Sequence, residues 1–137
     1  MTALPAAPPA HVVSSHGLSV RVPAGWHGAA AADDCDPTER LRISSPRGRV
    51  VVLVLEDHVN KPVGDLRRPA RFHVAWDRLT RLEGCCRTPS GPGYLRWFKE
   101  RGRLLGFLVH PRGSPPALVR AQTDALLDSL RVAPSAQ

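Results

Sequence analysis

The chain reads as an α+β protein, an antiparallel β-sheet of about five to six strands flanked by two helices. Three observations predict this. Tyr94–Glu100 and Arg103–His110 are β-rich runs joined through Arg101-Gly102, where glycine supplies the positive φ of a tight hairpin turn. Leu18, Val20 and Val22 alternate with Ser19 and Arg21, the period-two pattern of a half-buried strand. Two later stretches, 68–82 and 115–130, space their apolar residues as a helix does. The expected order is β-β-β-(β)-α-β-β-α.

Taken in order, residues 1–10 form an Ala/Pro-rich disordered lead-in, 11–133 a single domain, and 134–137 a tail. His11–Ser14 suits a short edge strand, and Ser15-His16-Gly17 turns the chain into Leu18–Val22. Pro23 and Gly25 stop that strand, and Trp26 is expected to fold back and plug the end of the core. Gly28–Glu39 reads as a small-residue, acidic loop whose carboxylates lack the spacing and the bend glycine of a calcium loop. Arg40–Ser44 alternates again, and Ser45-Pro46-Arg47-Gly48 suits a type I turn. Val50–Leu55 is aliphatic without alternation, as in a central strand covered on both faces, and Glu56-Asp57 is expected to end it in water.

Beyond a connector at 58–64, Asp65 or Arg68 is placed to cap a helix, with Pro69 in its first turn. Phe72, Ala75, Trp76, Leu79 and Leu82 would form its apolar stripe, with Phe72 and Trp76 as structural anchors. Arg67, Arg71, Arg78 and Arg81 would share the neighbouring arc, laying their stems along the stripe or forming an anion-binding ridge. A loop over 84–93 leads into the Tyr94–His110 hairpin. Ser114 is then a candidate N-cap, with Pro115 and Pro116 opening the last helix. On that helix Leu118, Val119, Ala125, Leu126 and Leu130 are expected inside and Arg120, Asp124 and Asp128 outside, before a short strand at Arg131–Ala133.

The net charge of +7 arises from nineteen basic residues, only two of them Lys, against twelve acids. Such an excess draws anionic partners at long range and makes polyanion or nucleic-acid binding the second functional expectation. Arg96-Trp97-Phe98-Lys99 is the nearest approach to an aromatic-basic nucleic-acid surface, but alternation splits its aromatics between two faces. The three cysteines, Cys35, Cys85 and Cys86, are too sparse for a disulfide framework. With no charged side chain in residues 1–20 and no apolar run long enough to span a bilayer, the expectation is a cytoplasmic protein that does not engage the membrane.

No phosphate-binding loop, dinucleotide fingerprint, nucleophile elbow, CxxC or HxxxH occurs. No catalytic residue, cofactor or metal is therefore expected. The weakest of the readings keeps a cysteine-based activity at Cys85 and Cys86.

Gly17-Leu18-Ser19-Val20-Arg21-Val22-Pro23-Ala24-Gly25-Trp26 resembles the opening of the PsbP/Mog-like superfamily, an amphipathic strand running into Pro-x-Gly-Trp. Leu126-Leu127-Asp128-Ser129-Leu130-Arg131-Val132 resembles its ending, and together the two cover about a fifth of the chain. The resemblance, which extends to LpqN-type and Eag-type bacterial members, implies an antiparallel sheet flanked by helices. It also implies a protein-binding role with no shared catalytic centre. The matched residues Pro23, Gly25 and Trp26 are structural in it. The leading expectation is accordingly a non-enzymatic protein-binding module, an adaptor or chaperone-like accessory subunit of a bacterial assembly. It would act through an open sheet face, with Trp97 or Phe98 as candidate anchor and Arg96 as a further partner-binding candidate. Its partner would be another protein, and self-association as a homodimer is compatible with that surface.

Overall fold

A computed structural model describes residues 9–31, 38–57, 66–84 and 90–134. Among them are nine strands in two antiparallel sheets and one α-helix. The smaller sheet runs β1 (His11–Ser15), β2 (Leu18–Val22), β9 (Arg131–Val132). The larger runs β3 (His27–Ala30), β4 (Glu39–Ser44), β5 (Val50–Asp57), β8 (Arg103–Pro111), β7 (Gly91–Glu100), β6 (Thr80–Leu82). The helix α1 spans Ala117–Asp128.

One core fills the space between the layers. Leu18, Val20 and Val22 of β2 meet Leu41 and Ile43 of β4, Val50, Val52 and Val54 of β5, and Leu105, Phe107 and Val109 of β8. Leu126 and Leu127 close it from α1. Phe72, Phe98 and Phe107 pack as a triangle with ring centroids 4.8–5.4 Å apart, within the range that favours tilted and edge-on aromatic pairs.

Several expectations hold. The hairpin pairs Glu100 with Arg103, and Arg101 (φ 52°) and Gly102 (φ 73°) are both left-handed, as a type I′ turn requires. β5 is central, with Leu53 and Leu55 buried on one face and Val50, Val52 and Val54 on the other. Trp26 is buried and donates its indole N–H to Gln122 Oε1 at 3.3 Å. Its placement follows from a turn in which Trp26 N–H reaches Pro23 O and Gly25 takes φ 85°. The opening and closing stretches also meet, since Leu18 pairs with Val132 and Ser129 Oγ accepts the Arg21 N–H at 2.8 Å.

The main correction is the first helix, which does not form. From Leu66 to Leu79 the chain is irregular and largely extended, then enters strand β6. Phe72 and Val74 are buried while His73 and Ala75 are exposed, so the stretch obeys period two and not the helical wheel. Helix α1 is the cause. Asp128 Oδ1 accepts the Phe72 N–H at 2.6 Å, Asp124 Oδ1 accepts the Val74 N–H at 3.2 Å, and the Arg120 guanidinium lies 5.7 Å from the centre of the Trp76 ring. Phe72 and Val74, two extended residues apart, advance about 6.6 Å while Asp128 and Asp124, four helical residues apart, advance about 6 Å, so the two segments match over this pair of contacts before Trp76 N–H turns back to Val74 O at 2.9 Å. Asp128 is exposed as expected yet also accepts the Phe72 N–H, while Arg120 and Asp124, expected to face water, are half-buried against this segment.

Other corrections are smaller. His27–Ala30 is a strand where a loop was expected. Arg47 at φ 61° shows that the turn closed by Gly48 N–H to Ser45 O is not type I. The N-cap of α1 is Pro116 without side-chain capping, and Ser114 Oγ instead accepts from Arg120 Nη2. Leu118 is 69% exposed, not inward. Glu56 is buried against Arg103, not ended in water. Cys35, Cys85, Cys86 and the expected cap Asp65 lie outside the described residues. Among the described residues, no helix is long and apolar enough to cross a membrane.

Candidate functional site

Pleating decides what strand β7 offers to a partner. Phe98 points inward with no exposed surface, so it belongs to the core and is withdrawn as a partner-binding anchor. Trp97 takes the opposite face and lies over Gly106 of β8. A Cβ on Gly106 would sit 2.8–3.0 Å from Trp97 ring carbons, so the indole rests directly on bare backbone. Leu95, two residues earlier on the same face, is 41% exposed. Arg96, between them in sequence, is exposed on the other face of the strand, the one Phe98 shares.

Among the described residues the edge of β7 is unpaired over the same stretch. Gly91–Gly93 pair with β6, and Lys99 donates its N–H to Leu66 O at 2.6 Å and bridges to Arg67. Between these anchors the chain of residues 68–79 leaves the edge to lie along α1, carrying Phe72 and Val74 into the core. Among the described residues nothing pairs with the outer edge of β7 from Tyr94 to Phe98. A cleft of about 610 Å³ sits there, lined by Leu66, Arg67, Leu95, Arg96 and Trp97 among others. An unpaired strand edge next to an apolar cleft can accept both the backbone and a side chain of an extended segment.

The expected anion-binding ridge does not exist. Without the helix, Arg67 sits at the β7 edge, Arg71 precedes the buried Phe72, Arg78 lies in a turn and Arg81 pairs opposite Pro92 in β6. The four side chains therefore do not share a helix face. Phe72 and Trp76 keep their structural roles, with Phe72 in the core and Trp76 packed partly buried against it.

The dominant electrostatic feature was not anticipated. Arg103 makes a two-pronged contact with Glu56, Nε to Oε2 at 2.7 Å and Nη2 to Oε1 at 2.8 Å. It also donates to His16 O at 2.7 Å and Ala133 O at 3.0 Å. The hydrogen bond to Glu56 raises the Arg103 pKa above its ordinary value, so the guanidinium stays protonated. Both residues are buried with polar partners, the signature of a structural tie rather than a reactive pair. On α1, burial pushes the Asp124 carboxyl above its usual range, although the Val74 N–H and His73 pull it down. Among the described residues no group of three His, Cys, Asp or Glu could hold a metal ion. No family model, no curated protein and no solved structure matches the chain.

Proposed function

We propose that the protein is a non-enzymatic protein-binding module that receives an extended segment of its partner along the outer edge of β7. The observation that carries this reading is the coincidence of an edge at Tyr94–Phe98 that no described residue pairs with and the cleft holding Leu95 and Trp97. Backbone hydrogen bonds would supply affinity, and an apolar partner side chain in the cleft would supply selectivity. Arg67 and Arg96 at the cleft, within a chain of net charge +7, favour a partner segment with acidic flanks. The PsbP/Mog-like resemblance of residues 17–26 and 126–132 lends the same reading its class, an adaptor or chaperone-like accessory subunit working in the cytoplasm.

The test is isolation of a stoichiometric complex from the native source, then rebinding of the purified partner to Leu95→Asp and Trp97→Ala variants. Leu95→Asp alters an exposed side chain and should leave the fold intact while weakening binding by about tenfold or more. Hydrogen exchange at the amides of residues 94–98 should slow in the complex. A partner that binds both variants as tightly as the parent chain, with unchanged exchange at these amides, would overturn the reading.

A further inference from the structure

At the other end of the same outer sheet face, away from Trp97, lies a second cleft of about 360 Å³. Val51 and Leu53 of β5 are its apolar floor, and Arg42, Ser90, His110 and Arg112 stand around it. Arg42 is the unusual member. Its Nε donates to Glu39 Oε1 at 2.9 Å, which fixes the guanidinium against a carboxylate with almost no exposed surface. Its Nη2 is shielded from solvent and has no hydrogen-bond partner among the described residues. Folded proteins seldom bury a polar nitrogen without an acceptor, and a bound ion or water is one of the usual reasons; the remainder of the Arg42 side chain, 31% exposed, is what the cleft can reach. Ser90 Oγ accepts the Gly84 N–H at 2.7 Å, which leaves its own O–H to donate. Arg112, on the segment following β8, adds a second exposed guanidinium.

We infer that this cleft binds a small organic anion. Its carboxylate or phosphate would meet Arg42 with Ser90 and Arg112 beside it, and its compact apolar body would cover Val51 and Leu53. A guanidinium held by one edge presents its remaining N–H groups in the fixed fork that matches carboxylate or phosphate oxygens. The volume lies at the small end of the range for ligand sites, which suits a single ring or a short branched chain. The site is separate from the β7 edge, and neither reading depends on the other.

The experiment is calorimetric titration of the full chain with benzoate, phenyl phosphate, benzamide and inorganic phosphate. Benzoate or phenyl phosphate should bind saturably. Benzamide, the neutral isostere, should bind about tenfold or more weakly because it leaves the cationic donors poorly matched. Inorganic phosphate should fall clearly below phenyl phosphate, since it lacks the body that covers the floor. Arg42→Gln should cost about tenfold in affinity, and the exposed Arg112→Gln should cost severalfold while leaving the melting curve unchanged. Arg131→Gln on β9 removes the same charge elsewhere and should alter affinity less than about twofold. Arg112→Gln decides the matter if Arg42→Gln fails to fold. The inference is overturned by absence of saturable binding at millimolar anion, by equal binding of benzamide, by inorganic phosphate matching phenyl phosphate, or by Arg131→Gln weakening binding as much as Arg112→Gln.

Discussion

Trp97 and Phe98 are neighbours in sequence, yet one lies on the outer sheet face and the other in the core. The difference sets what each would do when changed. Phe98→Ala removes one corner of the Phe72–Phe98–Phe107 triangle and should cost about 3–5 kcal/mol in denaturant titration. Gly106→Val should displace the Trp97 indole, shift its fluorescence and cost about 1–3 kcal/mol through overpacking. Asp124 separates charge from hydrogen bonding. Asp124→Ala orphans the Val74 N–H and should cost about 1–3 kcal/mol, whereas Asp124→Asn keeps an acceptor. A carboxyl whose folded pKa is raised contributes stability that is fully present below its unfolded pKa and is lost as pH rises through the folded value. The stability of Asp124→Asn relative to the parent chain should therefore climb as pH rises above the unfolded carboxyl pKa of about 4, as read from melts over a pH series.

Among elements, the Tyr94–His110 hairpin was legible because everything that builds it is local. Its strands carry their own alternation and its turn carries its own glycine. Arg101 nevertheless holds a left-handed φ that asparagine tolerates better, so Arg101→Asn should stabilise the protein by about 0.5–1 kcal/mol in thermal melts. The stretch from Leu66 to Leu82 was misread for the opposite reason. Phe72, Ala75, Trp76, Leu79 and Leu82 satisfy a helical wheel, while Phe72, Val74 and Trp76 satisfy a strand just as well. The tie is broken by Asp128 and Asp124, which are 56 and 50 residues away. The available signal was the pair Asp124 and Asp128 at four-residue spacing on α1, matched in reverse to the two-residue pair Val74 and Phe72. Trp97 and Phe98 were equal candidates from sequence, and the β7 edge beside Trp97 depends on where residues 68–79 go, which local pattern does not encode. The Arg42 cleft was equally invisible, since its members come from four separate stretches of chain.

At the scale of the molecule, Arg103 joins the hairpin, the central strand, the β1–β2 turn and the chain beyond β9 at one guanidinium. Arg103→Met would strand Glu56 as a buried carboxylate and should destabilise the protein by about 3–5 kcal/mol, with Glu56→Leu added in the same chain recovering much of that loss. Equal destabilisation in the single and double variants would show that the contacts to His16 and Ala133 matter more than the ion pair. The same convergence sets an order on biosynthesis. Glu56 and Arg103 can meet once the hairpin has left the ribosome, but the acceptor at Ala133 and the β9 partner of Leu18 emerge some thirty residues later. A released chain truncated after residue 120 would thus carry an unfinished small sheet with β2 exposed along one side, and protease sensitivity there should vanish only in chains that extend through residue 133.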